Sequence, residues 1–337
     1  MPGSTGVPPI QYGYGTASKA LDLSVSYAVV TMDVPWSIVG EFVATPPQKI
    51  VEPTSMTLDA LESMARSIPK VEVVFGIGGG TAHDAAKFVA MQQGCRLIQI
   101  PTMIGGDAAL TPPVGVRKEG RVRYIGSVPC DRVVVDYAIL QNAPPELVRI
   151  GACDCLSSET ALHDWRIAAG ADQAAWDEAV SHDACRTLDS IRRSRFQIHD
   201  CTPRGIRAIF DGFASYAKLA LDLGNDRAQE GSEHFLAYFV EFLTKRPYVH
   251  GQLLGVCLAA VAYLFGESFS GLMSTLDDMG INTDPTRIGI TADILIDALV
   301  GLQDFVREGG YYYTHVHERT ISRTEARESV RALTSVK

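Results

Sequence analysis

The chain has 337 residues, of which 46% are hydrophobic and 20% are charged, and its formal net charge is −9. This length predicts about two domains of roughly 100–200 residues each. The acidic balance disfavours binding to nucleic acid, which needs a basic surface, and no apolar run reaches the roughly 18 residues that predict a membrane span.

The first 140 residues alternate predicted strands with predicted helices. An irregular stretch to residue 15 comes first. Strands are then predicted at 27–32, 48–51, 71–75, 95–100 and 132–135, helices at 17–23, 57–68 and 81–90, and a hairpin at 114–117 and 121–125. This alternation predicts a mostly parallel sheet with helices on its faces.

After Pro144 the pattern becomes helical. Helices are predicted at 145–169, 174–191, 203–223, 228–243, 251–266 and 290–306, with a charged surface helix from residue 322 to residue 337. We find no convincing strand pattern after residue 140. The predicted fold class is therefore an α/β Rossmann-like N-terminal domain, residues 1–143, followed by an all-α C-terminal domain, residues 144–337.

The stretch from Val71 to Ala90 predicts a buried strand, a glycine turn and a helix in that order. Gly78, Gly79 and Gly80 let the backbone approach a ligand closely, and Thr81 stands where the helix begins. A helix N-terminus offers free N–H groups and partial positive charge, which suit a phosphate or pyrophosphate. A tight turn without a ligand is the alternative. The stretch is not GxGxxG and does not follow the first strand, which weakens a plain Rossmann prediction.

Two further features of this half suit a nucleotide. Asp33 follows an early strand, where an acidic residue often holds a ribose hydroxyl and would favour NAD over NADP. A turn-forming role before Pro35 is at least as consistent with the sequence. The loop from Pro101 to Asp107 follows a predicted strand, and ligands in open α/β sheets bind at that edge.

Asp154, His234 and His250 are candidates for a metal site in the helical half. The two histidines are 16 residues apart, which allows them to face each other across a helical hairpin. Two imidazoles and one carboxylate leave an open position, as in catalytic zinc sites, and iron or nickel also suits this donor set. Spacing alone does not select these three among eight histidines, and a single histidine is more often structural. His315 and His317 would share one face of a strand and are a weaker alternative.

The N-terminal residues and the cysteines indicate the compartment. The first ten residues, MPGSTGVPPI, lack the basic and apolar segments of a secretory signal. Seven cysteines, an odd number, are scattered without a CxxC pair, so we expect neither a disulfide framework nor a thiolate zinc site. These features predict a cytoplasmic protein.

Five motifs occur together in one order. They are Gly78-Gly79-Gly80 with Asp84 and Lys87, Pro101-Thr102 with Asp107, the run from Asp136 through Ala143-Pro144 to Asp154, Glu233-His234, and His250-Gly251. In this order they resemble the superfamily of glycerol dehydrogenase, dehydroquinate synthase and iron-containing alcohol dehydrogenase. The resemblance is strongest to the sn-glycerol-1-phosphate dehydrogenases and extends over about residues 70–260.

The resemblance implies a dehydroquinate synthase-like fold with an active site in the cleft between its domains. It implies that Asp154, His234 and His250 hold Zn²⁺, Fe²⁺ or Ni²⁺. Residues implied to bind NAD or NADP are Asp33, Gly78, Gly79, Gly80, Thr81, Asp84 and Thr102. Asp107 and Lys87 would line the substrate pocket as catalytic residues, although Lys87 is as well explained by a structural ion pair. A homo-oligomer, a dimer or larger, is also expected.

The leading hypothesis is a metal-dependent NAD(P) oxidoreductase acting on a small polyol or phosphorylated polyol. A sugar-phosphate cyclase resembling dehydroquinate synthase is the alternative, and a fold that has lost catalysis is a third possibility. The glycerol-1-phosphate branch usually has SRPASG before its Glu-His pair, where this chain has DRAQEG, residues 226–231. The two additional acids, Asp226 and Glu230, would repel a phosphate dianion near that site.

Overall fold

The computed structural model of the chain describes residues 6–265 and 269–335. The chain divides between Val148 and Arg149 into two compact units, which we call unit 1 and unit 2 in chain order. The functional division into a dinucleotide-binding domain, residues 1–143, and a metal- and substrate-binding domain, residues 144–337, stays a prediction.

Unit 1 contains a six-stranded sheet in which every neighbouring pair is parallel. Its strands are β1 (Ile10–Gly13), β2 (Tyr27–Val30), β3 (Lys49–Val51), β4 (Val73–Gly78), β5 (Arg96–Pro101) and β8 (Arg132–Asp136). Their order across the sheet is β1-β8-β5-β4-β2-β3. The antiparallel hairpin of β6 (Val114–Lys118) and β7 (Arg121–Ile125) lies outside this sheet, as predicted.

Among the described helices of unit 1, the first four connect strands of this sheet and the last two follow its last strand. They are α1 (Thr16–Leu21), α2 (Asp33–Val39), α3 (Leu58–Ser67), α4 (Gly80–Gln93), α5 (Tyr137–Asn142) and α6 (Pro145–Arg149), the last at the division between the units. A 3-10 helix, Gly40–Phe42, follows α2. Every residue of β2 and of β4 is buried, which explains their continuous runs of apolar and small residues, because a parallel sheet is covered on both faces.

The strand order reverses at β2. This strand pairs with β3 on one side and with β4 on the other. In open parallel sheets a ligand binds at such a switch point, beyond the carboxyl ends of the strands. Here those ends are Val30 and Gly78, so the glycine motif occupies the place in the fold that suits a nucleotide.

Unit 2 is helical throughout the part of the chain that the structure describes. Its helices are α7 (Gly151–Leu156), α8 (Ser158–Gly170), α9 (Glu178–Arg193), α10 (Arg195–His199), α11 (Pro203–Leu223), α12 (Ser232–Thr244), α13 (His250–Phe265), α14 (Phe269–Asp278), α15 (Ala292–Gly309), α16 (His315–Glu318) and α17 (Arg323–Ser335), with a 3-10 helix at Pro285–Ile288. Helix α13 is buried on all sides from Leu253 to Ala262, as expected of a helix that is apolar all round. It packs against α7, α12 and α17 and forms the centre of the unit.

The predicted fold class is confirmed, but several elements differ from prediction. Residues 10–13 form a strand rather than irregular chain, and α2, α5, α10, α14 and α16 were not predicted. The single helix predicted at 145–169 is wrong, because three helices occupy it, with breaks at Ile150 and Ser157. Gly266 and residues 336–337, the ends of two predicted helices, lie outside the described residues.

Among the described helices, none is both long enough and apolar enough to cross a lipid bilayer.

Candidate functional site

The glycine motif forms the junction between β4 and α4. Gly78 ends the strand with a φ of +146°, where a side-chain carbon would also lie 3.0 Å from the Cβ of Ala82. Gly80 opens the helix, one residue before the predicted start, and both Gly80 and Thr81 are exposed. No side chain of the described residues caps this N-terminus. The first N–H groups of α4 are therefore not capped by a side chain, and an anionic group can accept hydrogen bonds from them.

Two other predicted nucleotide residues lie beside this junction. The backbone N–H of Thr102 donates to the carbonyl of Gly78 at 3.0 Å, so the loop after β5 is fixed against the end of β4. Asp33 is the first residue of α2, three residues after the end of β2. Pro35 of the same helix turn lies 3.6 Å from where a side-chain carbon at Gly78 would stand. The structure thus brings Asp33, the glycines and Thr102 to one edge of the sheet.

Lys87 and Asp84 form a buried ion pair on α4. The ammonium of Lys87 lies 2.6 Å from Oδ1 of Asp84 and donates to the carbonyls of Thr111 and Pro113 at 3.0 and 2.5 Å. The Lys87 side chain is only 2% exposed. Because three partners inside unit 1 use the three donors of an ammonium, the geometry favours the structural alternative for Lys87 over a catalytic role.

Asp107 begins a turn in the loop after β5. Its carbonyl accepts the N–H groups of Leu110 and Thr111 at 2.8 and 3.2 Å. Thr111 in turn accepts from Lys87. Asp107 is half-buried, whereas Lys87 is fully buried. Of the two predicted catalytic groups, the Asp107 carboxylate is therefore the more accessible to a substrate.

His83 lies next to the nucleotide motif but is buried beneath it. Its Nδ1 is 2.7 Å from Oε1 of Gln99, and Nε2 of Gln99 donates to the carbonyl of His83 at 3.1 Å. Burial lowers the pKa of His83 to about 4, so the imidazole is neutral near pH 7. This histidine joins α4 to β5.

The three predicted metal ligands converge in unit 2. Asp154 lies on α7, His234 in the first turn of α12, and His250 begins α13. Nε2 of His234 is 3.4 Å and Nε2 of His250 is 3.9 Å from Oδ1 of Asp154, and the two imidazole centroids are 5.3 Å apart. The histidines therefore face each other across the hairpin of α12 and α13, an arrangement that their spacing allowed.

These distances fit a metal better than a set of hydrogen bonds. Two ligands at about 2.0–2.1 Å from a tetrahedral ion lie roughly 3.3 Å apart, whereas good hydrogen bonds from nitrogen are about 2.7–3.2 Å long. The side chains of Asp154 and His234 are 4% and 7% exposed, and that of His250 is 38% exposed. Two buried ligands and one at the surface give a centre that is open on one side. No second group of this kind occurs in residues 6–265 and 269–335.

Glu233 orients His234. One of its carboxylate oxygens lies 2.9 Å from Nδ1 of His234 and accepts the N–H of Gly231 at 2.8 Å. The other accepts the hydroxyl of Thr160 at 2.6 Å. A carboxylate on Nδ1 fixes the proton there and leaves Nε2 as the ligand, which is the usual arrangement around metal-bound histidine. The sequence pattern places Glu233 beside His234 but does not predict this role.

The charges of the site also suit a cation. Burial alone would raise the pKa of Asp154, but hydrogen bonds and charge from His234 and His250 hold it below its ordinary value. Burial would lower the pKa of His234, but Asp154 and Glu233 raise it well above 6.5. Two buried carboxylates thus stabilise positive charge at the point where the imidazoles meet, and a divalent ion supplies that charge without protonating either ring.

Asp164 fixes the start of the helix that carries His234. Its two oxygens accept the N–H groups of Ser232 at 2.6 Å and of His315 at 2.7 Å. Burial, together with the charge of Glu233, raises the pKa of Asp164 to about 7. The aspartate before Trp165 therefore has a structural role.

The alternative metal-binding pair, His315 and His317, was predicted to share one face of a strand, and this prediction is wrong. Both lie in α16, not in a strand, so residues two apart do not share a face. The His315 ring packs against His163 and Phe265, with centroids 5.7 and 4.8 Å away, while Nδ1 of His317 accepts the N–H of Thr314.

Comparison with known proteins supports the resemblance drawn from the motifs. Residues 28–144 match the family model described as iron-containing alcohol dehydrogenase. The resemblance is confirmed. The chain is 27% identical over 281 residues to glycerol-1-phosphate dehydrogenase [NAD(P)+] of Methanothermobacter thermautotrophicus, covering 83% of this chain and 80% of that protein.

A second relative and a solved structure agree with this match. The enzyme of the same name from Thermococcus kodakarensis is 25% identical over 293 residues, covering 85% of this chain and 82% of the relative. The crystal structure of a probable glycerol dehydrogenase from Sinorhizobium meliloti superposes with a TM-score of 0.70 at 18% identity, over 97% of each chain. At that identity the structural likeness establishes the fold alone.

Proposed function

We propose that this protein is a metal-dependent NAD(P) oxidoreductase that interconverts an alcohol and a ketone or aldehyde on a small polyol or phosphorylated polyol. The convergence of Asp154, His234 and His250 at 3.4–3.9 Å is the main support. The names of the relatives, which are glycerol-1-phosphate dehydrogenases, agree with this class of reaction.

Each residue of the metal centre has a defined task in this proposal. Asp154, His234 and His250 would hold the ion, Glu233 would keep the Nε2 of His234 available, and Gln229 would fix Asp154 through a 3.0 Å hydrogen bond to Oδ1. As a Lewis acid, a bound zinc or iron lowers the pKa of a substrate alcohol or polarises a carbonyl. The exposed edge of His250 marks the side from which a substrate oxygen would approach.

The cofactor would lie at the switch point of the sheet in unit 1. Gly78, Gly79, Gly80 and Thr81 would hold its pyrophosphate at the N-terminus of α4, with Thr102 beside them, and the NAD or NADP nicotinamide supplies hydride chemistry. Asp84 would support this loop indirectly, through its ion pair with Lys87. Asp107 would orient a substrate hydroxyl.

Asp33 is proposed to hold the adenine ribose, which would make NAD the preferred cofactor because a carboxylate repels the 2′-phosphate of NADP. Replacing Asp33 with Asn should raise the kcat/KM for NADP relative to NAD by about tenfold. Asp59→Asn is a matched control, because Asp59 also lies in the first turn of an exposed helix of unit 1. If Asp33→Asn leaves the ratio of kcat/KM for NADP to that for NAD unchanged, Asp33 does not hold the ribose.

Metal analysis with matched variants tests the proposal. Wild-type protein loaded with zinc should retain about one ion per chain after gel filtration, and Asp154→Ala, His234→Ala and His250→Ala should each lose it. His182→Ala, which changes an exposed histidine of α9, should retain the ion. If wild-type protein retains no zinc, iron or nickel, the proposal fails.

Net cofactor turnover separates the proposal from the cyclase alternative. A dehydrogenase accumulates NADH or NADPH when it oxidises an alcohol, which absorbance at 340 nm records. A cyclase returns its cofactor to the starting oxidation state, so the absorbance would not change while product forms.

Two broader features are also proposals. We propose a homo-oligomer, which light scattering coupled to gel filtration would measure, and a cytoplasmic location, which the scattered cysteines suggest. A small molecule is the expected partner.

A further inference from the structure

The backbone around Gln229 is fixed at the junction of α7 and α8. The hydroxyls of Ser157 and Ser158 donate to the carbonyls of Gln229 and Ala228, at 2.9 and 2.7 Å. Both serines are fully buried. The N–H of Gln229 also donates to the carbonyl of Asp226 at 2.9 Å, which closes a turn. The Gln229 side chain therefore begins from a fixed point.

The amide of Gln229 contacts two oxygens of a single residue. Its Nε2 donates to Oδ1 and to the backbone carbonyl oxygen of Asp154, both at 3.0 Å. Both oxygens are acceptors when the carboxylate is ionised, so the NH₂ end of the amide must face them, and both of its N–H donors are used. One amide thus holds the carboxylate and the backbone of Asp154 together. This fixes the side-chain torsion angles of the aspartate.

Oδ1 is also the carboxylate oxygen that faces the two imidazoles. The Nε2 atoms of His234 and His250 lie 3.4 and 3.9 Å from it. Each oxygen of an ionised carboxylate has two lone-pair sites, so Oδ1 can accept from the Gln229 amide and still bind an ion. Because its torsion angles are fixed, Asp154 offers this one oxygen and does not turn to present both oxygens to the same ion.

The spacing of the ligand atoms favours a tetrahedral ion. Ligands at right angles around an octahedral ion lie roughly 3.0 Å apart when each bond is about 2.1 Å long, and tetrahedral ligands lie roughly 3.3 Å apart or more. The distances from Oδ1 of Asp154 to His234 and His250 exceed the octahedral value. Zinc is usually bound in tetrahedral geometry, whereas nickel(II) prefers square-planar or tetragonal arrangements.

We infer that Gln229 is a specificity-determining residue for the metal, because it fixes Asp154 as a one-oxygen ligand and so makes the centre select zinc over nickel. The inference rests on the proposed function and names the ion of its metal centre. Ligand type alone does not place zinc above nickel, so the selection must come from geometry. Without the amide, Asp154 can turn and bring its second oxygen to the ion, which adapts the centre to larger coordination numbers. Gln229 acts through Asp154 and is a positioning residue.

Equilibrium binding of zinc and nickel to metal-free protein tests the inference, with each Kd measured by competition against a chelating dye. Wild-type protein should have a larger Kd for nickel than for zinc. Gln229→Leu removes both N–H donors at similar side-chain volume, and it should lower the nickel-to-zinc ratio of Kd at least about tenfold, mainly through weaker zinc binding. Gln173→Leu is the matched control and should keep the wild-type ratio. Gln173 is an exposed glutamine of unit 2 whose amide donates to the carbonyl of Ala171.

Cobalt(II) provides a readout that a general loss of stability does not imitate, because tetrahedral cobalt absorbs visible light far more strongly than cobalt with five or six ligands. Cobalt-loaded wild type and Gln173→Leu should both have the strong bands. Gln229→Leu should have weaker bands at full occupancy.

Ser157→Ala tests the same contact if Gln229→Leu does not fold. It keeps the Gln229 amide but removes the hydroxyl that lies 2.8 Å from the carbonyl of Asp154 and donates to that of Gln229. Since the amide is then less firmly held, the nickel-to-zinc ratio of Kd should fall in Ser157→Ala as well, by less than in Gln229→Leu. An unchanged ratio in Ser157→Ala would contradict the inference.

The outcomes separate the inference from the proposed function. If wild-type protein binds nickel more tightly than zinc, or if Gln229→Leu keeps the wild-type ratio and cobalt spectrum, the inference is wrong while the metal-dependent dehydrogenase proposal stands. Equal weakening of zinc and nickel in Gln229→Leu would also overturn the inference, because the amide would then support metal binding without selecting the ion. If wild-type protein retains no zinc, iron or nickel, the proposed function fails and the inference fails with it.

Discussion

At the scale of single residues, neighbours in sequence have different tasks in the same site. His234 presents Nε2 to the metal position, while Glu233, one residue earlier, bends back over the start of α12 to hold Nδ1. Adjacent residues within a helix normally point apart. This pair can meet because it stands in the first turn of α12, where the backbone N–H of Gly231 donates to the Glu233 carboxylate.

Replacing Glu233 with Gln should weaken metal binding by about 10–100-fold without abolishing it, because the ligands remain while the orienting charge is lost. Competition against a zinc-binding dye would measure the affinity. Glu178→Gln, at the exposed first turn of α9, is the control and should bind zinc as wild type does. Equal affinities for Glu233→Gln and wild type would show that the carboxylate does not support the ligand.

Stability at acid pH depends on His83. The folded-state pKa of His83 is about 4, below its ordinary value of 6.5. Between these two pH values the imidazole is protonated in the unfolded chain but not in the folded chain. The contribution of His83 is complete above pH 6.5 and is lost as the pH falls toward 4. By linkage, the loss between pH 7 and pH 5 is about 2 kcal/mol.

Urea unfolding at the two pH values would measure this effect. His83→Gln should lose less free energy of unfolding between pH 7 and pH 5 than wild type, by about 2 kcal/mol, whatever its stability at pH 7. His182→Gln, at an exposed position of α9, should lose as much as wild type. A loss in His83→Gln equal to that of wild type would contradict the assignment.

At the scale of elements, a substitution in the strand–glycine–helix junction can weaken ligand binding without lowering the stability of the fold. Gly80 is the first residue of α4, and a side-chain carbon there would meet only Ala108, at 3.8 Å. Gly80→Ala should therefore leave the free energy of unfolding unchanged or raise it by up to about 1 kcal/mol. The new methyl group would stand where a pyrophosphate approaches the helix.

NADH affinity, measured by fluorescence titration, should fall at least about tenfold in Gly80→Ala. Gly170→Ala provides the control, since Gly170 ends a helix of unit 2 with nothing within 4 Å of the added carbon. Unchanged NADH binding in Gly80→Ala, with stability retained, would place the cofactor elsewhere.

The sequence predicted the elements whose signal is local. Short stretches of sequence predict the apolar runs of β4, β5 and β8. They also predict the Glu119-Gly120 turn, in which both φ angles are positive. Strand β1 is not predicted in this way, because IQYG is short and mixed, and it is stabilised by pairing with β8, whose residues lie 123 positions later. Asp136, at the end of β8, adds hydrogen bonds to α1 and α5 that no local pattern shows.

At the scale of the whole molecule, the metal centre joins residues that no spacing rule relates. Asp154 and His234 lie 80 residues apart on α7 and α12, and only the packing of both helices against α13 brings them together. The ordered set of motifs predicted these three residues as ligands, whereas local patterns could not choose among eight histidines. The supporting groups, Gln229 and Thr160, have no motif, because their roles arise from tertiary contacts.

The two units should respond separately to the two ligands. Zinc held by the proposed ligands would connect α7, α12 and α13 within unit 2. Adding it to metal-free protein should therefore slow amide hydrogen exchange in peptides from these helices, because a ligand of the folded state suppresses local opening. NADH added without zinc should slow exchange at residues 76–90 of unit 1 instead. Mass spectrometry of deuterated peptides would resolve both responses in one experiment.

Asp154→Ala separates the two responses within one chain. It removes a zinc ligand from unit 2 but leaves the glycine junction of unit 1 unaltered, so zinc should no longer protect α7, α12 and α13 while NADH still protects residues 76–90. Zinc protection that survives in Asp154→Ala would mean that the ion binds elsewhere. If NADH protects no residue of the junction in either protein, the cofactor is not held by the N-terminus of α4, and the position of the glycines at the switch point of the sheet would then be explained by tight packing alone.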